Sequence, residues 1–514
     1  MKRLFQVLFT GYLVLSLALG FCDTYLSFSL TVIILYVSIF VYNKQHRWIS
    51  IPHKAIGSRK CTIPTESLNA YKSLFLYFTI VFTLFLMYWL AYYPGGFNLD
   101  AYGQWLQAHG LMQYNDWHPF TSTLIIQLFL CVHDSFAFYI FSQIVLSTIA
   151  ISYLLYSIQI AGVNHKLLVA LAIYIGINPV VAMNTICMTK DVQFTIFSIL
   201  FTACSIRILS TNALWLNSWQ HLSGFSIVSI MIILVRHNGI LFVITAFICL
   251  LALYKPYRRK ISSAALLIFM VCFFVKGPVA FLLQVEPHEN ILGEISGIPM
   301  GMMGNALTID QVHLPESVQE FLYQIADKEL WYQYYLTGEW DSCKWIFGGT
   351  EVLKNNTIFD VLIHTISTIV HCPQACYESF QENTKMVWSL FGSQINWMPY
   401  VYIEPNEFNI VESAFPFFHT ITNYIISFMQ LPILSSFFWH PGFLLAIALG
   451  IWLIIRQQRF QKNVLLLAPI FVYTVGAMFL LSSPNIRYIY FIMVLIPPII
   501  LYMSFQVCVQ FMEE

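Results

Sequence analysis

Long apolar runs separated by short polar segments dominate the chain. The runs fall near residues 5–22, 25–42, 73–92, 136–160, 167–182, 192–209, 223–236, 239–254, 261–283, 441–456, 463–481 and 487–511. Runs of about 17–25 apolar residues are typical of transmembrane helices, which satisfy every backbone polar group within the segment. The pattern therefore predicts an all-α polytopic membrane protein with about 12 transmembrane helices.

Shorter apolar pieces interrupt this regular pattern. The segments 119–133 and 421–437 are too short for a full span, which favours an interfacial or re-entrant position. The two runs that flank Arg236 are short for two spans and long for one.

Composition agrees with a membrane protein. The chain is 58% hydrophobic and only 10% charged, whereas soluble domains carry about 25% charged residues. The formal net charge is zero, and nothing in the sequence points to nucleic acid as a partner.

The positions of Lys and Arg predict the orientation, because these residues accumulate on the cytoplasmic side. Basic residues cluster in 43–72, 255–260 and 456–462, whereas 93–135 contains no Lys or Arg. The stretch 284–440 holds 17 of the 25 acidic residues and 4 of the 25 basic ones. We therefore expect a multi-pass protein of the cell membrane with cytoplasmic N- and C-termini and with 93–135 and 284–440 outside.

Four regions follow from this topology. Residues 1–72 are expected to contain two transmembrane helices and a basic cytoplasmic linker, and residues 73–283 seven helices. Residues 284–440 are expected to form a mixed extracytoplasmic domain, and residues 441–514 the C-terminal transmembrane helices.

The first outer loop carries the most informative residues. After Tyr93-Pro94-Gly95-Gly96 ends the preceding helix, Asp100 and Gln104 have the i, i+4 spacing that puts them on one helix face. A carboxylate here can accept a proton from a hydroxyl, and His118 follows in the same loop. The alternative is that Asp100 is only a helix N-cap.

Four basic residues lie on the predicted outer side, which is otherwise mainly acidic. Lys190, Arg236, Lys276 and Arg487 all map to the outer ends of helices, and Asp191 follows Lys190 directly. A single such cation usually extends towards the headgroups. Four at similar depth favour a shared anionic ligand, and a lipid phosphate or diphosphate suits the arginine fork. For Lys190 and Asp191, the alternative is an ordinary charged helix end.

These motifs resemble the GT-C superfamily of membrane glycosyltransferases, and within it a largely uncharacterised bacterial family of polytopic membrane proteins. The resemblance rests on Tyr93-Pro94-Gly95, Trp117-His118-Pro119, Lys190-Asp191, Arg236-His237-Asn238-Gly239 and Arg487-Tyr488, in this order along the chain. It implies that 73–283 is a seven-helix catalytic module, with one acid after its first helix and another between its third and fourth.

The resemblance also implies roles for these residues. Asp100 would be the general base of an inverting sugar transfer from a polyprenyl-phosphate carrier, and Asp191 would orient the acceptor or bind a metal. Substrate-binding residues would be Gln104, His118, Lys190, Arg236, Asn238, Lys276, Arg487 and Tyr488. No acid is clearly paired with Asp100, so we expect no tightly bound metal, although a divalent ion, Mg or Mn, is left open as a cofactor.

The expected partners are the lipid-linked sugar donor, membrane lipid, and an acceptor that is an envelope polymer, a lipid or a protein. The alternative function is a transporter or flippase of a lipid-linked saccharide, which would also need cations for the phosphate. A non-catalytic scaffold for envelope assembly is the third hypothesis. Transporters place polar groups near the midplane between similar halves, whereas here these groups map to the outer helix ends.

Overall fold

A computed structural model of the chain describes residues 68–287, 291–335, 339–391, 401–454, 460–480 and 483–513. Within these ranges every regular element is a helix, and extended pairing is limited to three isolated bridges. The chain is therefore all-helical where it is described. The helices expected near 5–22 and 25–42 and most of the basic linker lie outside the described residues.

The described residues form two compact units. The first comprises those up to Glu286, Leu390–Tyr473 and those from Arg487 onward. Its helices before Glu286 are α1 Leu68–Ala91, α2 Leu99–Ala108, α3 Phe120–Leu130, α4 Phe136–Ile160, α5 His165–Ile177, α6 Pro179–Thr185, α7 Lys190–Ser210, α8 Trp219–Val235, α9 Gly239–Leu253 and α10 Arg258–Phe274. Helix α4 packs against α1 and α7, and α7 packs against α8.

Helix α10 continues through a π-helical turn, Val275–Val279, into Ala280–Leu282.

The second unit comprises Pro287–Ser389 and Thr474–Ile486. Its helices before Ser389 are α11 Ile291–Ile295, α12 Gly297–Ile309, α13 Glu316–Ile325, α14 Lys328–Tyr334, α15 Asp341–Ile346, α16 Ile358–His371 and α17 Pro373–Trp388. Trp331 and Trp340 are fully buried in its core. The described residues of 284–440 include no strand, so the mixture of helices and strands expected for this region is not observed there.

The remaining helices follow in the C-terminal part of the chain. They are α18 Pro416–Met429, α19 Pro432–Trp439, α20 Pro441–Ile454, α21 Val464–Met478 and α22 Phe491–Glu513. Residues 401–440, which the sequence analysis placed in the outer domain, cluster with the first unit.

Several apolar runs are shorter or more bent than the sequence pattern suggests. Among the described residues, four helices are long and apolar enough to cross a membrane, or up to six if each of two bent pairs is one span. The bend between α5 and α6 is 61°, and that between α18 and α19 is 107°. At about 1.5 Å per residue, α8 with 17 residues and α9 with 15 fall short of a bilayer core. These helices are compatible with a polytopic membrane protein.

A short extended segment joins three distant parts of the first unit. Gly96 pairs with Cys187, and Phe97 pairs with Ile403, both in parallel. The backbone N–H of Gly96 donates to Ile186 O at 3.0 Å, and that of Phe97 donates to Tyr402 O at 2.8 Å. The start of α2 is thereby fixed against the loop before α7 and against the segment after residue 400.

Glycine is required where this segment turns. Gly95 has a φ of +117°, and a Cβ there would lie 2.5 Å from the carbonyl oxygen of Ile186. Both the backbone angle and the close approach exclude a side chain.

We expect Gly95→Ala to destabilise the protein, because the added methyl group meets backbone and the backbone angle is strained, at a cost of about 1–3 kcal/mol or more. The matched control is Gly103→Ala in α2, where a Cβ meets nothing within 4 Å. The control should be neutral or stabilising by up to about 1 kcal/mol, since alanine favours helix. Thermal unfolding in detergent measures both; equal melting temperatures for the two variants would contradict this account of Gly95.

Candidate functional site

Asp100 lies in the first turn of α2, directly after the extended segment. The N-cap is Asn98, whose side-chain oxygen accepts a hydrogen bond from the backbone N–H of Ala101 at 2.9 Å. The alternative in which Asp100 merely caps the helix is therefore excluded. A carboxylate in a first helical turn is favoured by the helix dipole, and the Asp100 side chain is 32% exposed.

Three further predicted residues converge on Asp100. Arg487 Nη1 donates a hydrogen bond to Asp100 Oδ2 at 2.7 Å, across 387 residues of sequence. His118 Nε2 lies 3.5 Å from the other oxygen, Oδ1. Lys190 Nζ lies 2.6 Å from His118 Nδ1. The four side chains form a continuous row, with a cation at each end.

The protonation of His118 follows from its two contacts. Burial lowers the pKa of His118 to about 4; the charge of Lys190 lowers it too, and that of Asp100 opposes the shift. The imidazole is therefore neutral at physiological pH. Because the Lys190 ammonium has only protons to donate, Nδ1 is the acceptor, and we assign the ring proton to Nε2, which faces Asp100.

Asp100 itself is an ionised carboxylate. Burial alone would raise the pKa of its carboxyl, but the charge of Arg487, followed by His118 and Lys190, outweighs burial and holds that pKa well below its usual range. The exposed third of the side chain lets solvent screen these charges. Asp100 is thus charged at neutral pH and engaged by Arg487.

A second ion pair lies deeper than the first. Arg236 pairs with Asp191, and their side chains are 9% and 3% exposed. The rings of Phe194, Tyr473 and Tyr488 lie 5.6–5.7 Å from the Arg236 guanidinium carbon. Arg236 is therefore occupied by a buried carboxylate and three aromatic rings.

Tyr488 connects the two ion pairs. Its ring centroid lies 5.1 Å from the guanidinium carbon of Arg487 and 5.6 Å from that of Arg236. Arg487 Nη2 also donates to the Tyr488 hydroxyl at 3.3 Å. Tyr488 thus acts as an aromatic platform shared by both arginines.

His237 and Lys276 stand beside the row. His237 Nε2 lies 3.1 Å from the backbone oxygen of Asp116. Burial lowers the pKa of His237; Asp116 opposes the shift, while Lys190 and Lys276 add to it. Lys276 is exposed in the π-helical turn, and its charge reaches His237.

Two predicted residues take other positions. Gln104 is 1% exposed, and its amide nitrogen donates to the hydroxyls of Ser122 and Thr123 at 3.2 and 3.3 Å. It therefore joins α2 to α3 and is buried between them. Asn238 precedes α9, where its side chain makes no capping hydrogen bond.

Tyr402 is a site neighbour that sequence reasoning missed. Its backbone oxygen accepts from Phe97, and its side chain is close enough to Arg487 and Asp100 for both charges to act on its pKa. Burial raises this pKa first, Glu404 and Asp100 add to the rise, and Arg487 opposes it. A tyrosine in an aromatic-rich loop gives no sequence signal of this proximity.

The donor set beside Asp100 suits an anion. Its immediate neighbours are a guanidinium, a neutral imidazole and, next to that, an ammonium. Across the described ranges, no three His, Cys, Asp or Glu side chains converge as metal ligands. Arg487 and Lys190, at the two ends of the row, are groups of the kind that donate charge-assisted hydrogen bonds to oxyanions.

We expect Asp191→Asn to destabilise the protein by about 3–5 kcal/mol, because it leaves the buried Arg236 charge without its partner. Adding Arg236→Met to this variant should recover part of the loss, since the orphaned charge is then removed. The matched control, Asp134→Asn, breaks a contact with His109 in which Asp134 is 70% exposed and should cost about 1 kcal/mol or less. Additive effects of the two substitutions in unfolding measurements would show that the pair is not coupled.

No protein-family model, no curated protein and no solved structure matches the chain.

Proposed function

We propose that this protein is a membrane glycosyltransferase of the GT-C type, which moves a sugar from a polyprenyl-phosphate carrier to an acceptor hydroxyl at the outer face of the cell membrane. The single observation that carries the proposal is the row Arg487–Asp100–His118–Lys190. It joins a carboxylate and a neutral imidazole of one loop with two cations suited to a phosphate, which come from two other parts of the chain.

The charge of the row supports a phosphate ligand. Arg487 and Lys190 contribute two positive charges against the one negative charge of Asp100, and His118 is neutral. Near His237, Lys276 adds a cation and Asp116 adds a carboxylate. The partly buried positive charge of the row is stabilised by a bound anion, and in a protein with several apolar helices an anionic lipid headgroup reaches such a site from the bilayer.

The proposed reaction uses both ends of the row. Asp100 accepts the proton of the acceptor hydroxyl, whose oxygen forms a bond to the anomeric carbon of the sugar. The bond between that carbon and the phosphate oxygen breaks, and the electron pair leaves with the polyprenyl phosphate. Arg487 and Lys190 stabilise the charge that develops on this leaving group. Displacement in one step inverts the anomeric centre.

Each remaining residue has a role in this proposal. His118 donates from Nε2 to Asp100 and keeps the carboxylate oriented, while Tyr488 supports Arg487. Arg236, paired with Asp191, packs against the Tyr488 ring and keeps it in place. Side-chain cations supply the charge stabilisation, so neither Mg nor Mn has an assigned part in the reaction. The positive-inside distribution of Lys and Arg motivates the outward orientation.

We expect Asp100→Asn to abolish sugar transfer, with a loss of roughly 100-fold or more, because the amide cannot accept the proton and general-base catalysis contributes about 10²–10⁴-fold. The test compares cells that lack the protein with cells that carry the wild type or the variant. Mass spectrometry then measures the envelope glycan that depends on the wild type, and lipid extraction measures the polyprenyl-phosphate sugar, which should accumulate in the variant.

The control is Asp134→Asn, which removes an exposed carboxylate from the same unit and should restore the glycan fully. Equal membrane levels of the variants, measured by immunoblotting, exclude a folding defect. Restoration of the glycan by Asp100→Asn would remove the base assignment and favour the transporter or scaffold hypothesis.

A further inference from the structure

The proposed base is already engaged in the ligand-free protein. Arg487 donates to one oxygen of Asp100 at 2.7 Å, and His118 faces the other oxygen at 3.5 Å. A carboxylate that is ion-paired to a guanidinium accepts protons poorly, because the pair stabilises its charged form. The same guanidinium is the group best suited to bind the carrier phosphate. Arg487 thus has two competing anionic partners.

We propose that Arg487 changes partner when the carrier binds, so that its guanidinium moves from Asp100 to the phosphate and releases Asp100 for proton transfer. This inference rests on the proposed function and deepens it. The exchange makes the base active only when the sugar donor occupies the site. No covalent bond changes in this step; one ion pair is replaced by another.

The surroundings of Arg487 are suited to such a movement. Its side chain is 20% exposed and that of Asp100 is 32% exposed, so solvent and solutes reach the pair. The Arg487 guanidinium lies against the aromatic ring of Tyr488, which offers a surface on which it can turn without losing the cation–π contact. The phosphodiester of the sugar donor carries one negative charge, as the carboxylate does, and presents two oxygens to the guanidinium fork.

The second arginine provides an internal comparison. Arg236 is 9% exposed, pairs with the deeply buried Asp191 and has three rings around it. Breaking this pair would leave a buried carboxylate without compensation. Arg236 therefore stays in place and holds Tyr488, and Arg487 is the arginine that can move.

His118 allows Asp100 to keep its position after the exchange. The charged or titratable groups that act most strongly on Asp100 are Arg487, His118 and Lys190. Because Lys190 donates to Nδ1, the Nε2 proton of His118 stays directed at Asp100. Once Arg487 leaves, this neutral donor orients the carboxylate without cancelling its charge.

The decisive experiment is a structure of the full-length wild-type protein in lipid nanodiscs with a polyprenyl monophosphate that carries no sugar. A polyprenyl alcohol of the same length, which lacks the phosphate, is the matched control. With the phosphate we expect the Arg487 guanidinium on phosphate oxygens, with its distance to Asp100 increased from 2.7 Å to beyond hydrogen-bond range. With the alcohol the ion pair should remain.

A binding measurement gives an independent readout. Asp100→Asn removes the competing partner of Arg487, so this variant should bind the polyprenyl monophosphate about three- to fivefold more tightly, as expected for loss of a partly exposed ion pair. Binding of the alcohol should be unchanged. Asp134→Asn serves as the matched control and should leave both affinities as in the wild type.

The outcomes separate this inference from the proposed function. If the phosphate binds near the row while Arg487 remains on Asp100, the exchange is wrong and the transferase proposal stands. Weaker phosphate binding by a folded Asp100→Asn variant also contradicts the exchange. If the wild type binds the monophosphate no better than the alcohol, the phosphate site is wrong, and the proposed function fails with it.

Discussion

The ion pair between Asp100 and Arg487 determines how the rest of the site is arranged. Neither charge is well tolerated alone in a partly buried position, because desolvation of an unpaired ion is costly. The two residues belong to opposite ends of the described chain, so their pairing requires the start of α2 and the turn before α22 to meet. Gly96 and Phe97, just before α2, contribute to this contact because they form backbone hydrogen bonds with the loop before α7 and with the segment after residue 400.

The two arginines have different physical tasks. Arg236 is buried with Asp191 and surrounded by aromatic rings, an arrangement that is expensive to break and is therefore rigid. Arg487 is more exposed and shares the ring of Tyr488 with Arg236. The rigid Arg236–Asp191 pair keeps Tyr488 in place beside Arg487. A site that binds a charged ligand needs a rigid part and an accessible part, since an arginine whose N–H groups are all paired within the protein has none to donate to a ligand.

The sequence predicted several of the residues that meet at the centre. Asp100 and His118 were selected as a possible proton acceptor and its neighbour in the first outer loop, and Lys190 and Arg487 as cations at outer helix ends; the structure brings the four side chains together. The same reasoning treated Asp191 and Arg236 as separate substrate-facing groups, because spacing along a chain does not reveal which charges neutralise one another. Their mutual pairing is a tertiary contact between α7 and the break before α9.

Other differences also come from tertiary structure. Gln104 has the spacing to share a face with Asp100, but α3 packs against that part of α2 and takes its amide. Tyr402 is brought to the site by backbone pairing with Phe97, which no side-chain pattern reports. A continuous apolar run in the sequence can also contain a break in the helix, such as the 61° bend between α5 and α6. Hydropathy does not predict such a bend, because it reports how apolar a segment is and not the direction of its helix axis.

The positions of the four central residues relative to their helices strengthen the case for an anionic ligand. Lys190 is the first residue of α7, Asp100 lies in the first turn of α2, and His118 lies two residues before α3. Arg487 lies in the turn before α22. Lys190, Asp100 and His118 therefore lie at or near helix N-termini, whose partial positive charge favours anions and disfavours cations. Asp100 benefits from this field, but Lys190 does not, so the placement of Lys190 costs free energy that a bound oxyanion would recover. A cation at a helix N-terminus, with a second cation at the other end of the row and a single carboxylate between them, is an arrangement that a phosphate would stabilise.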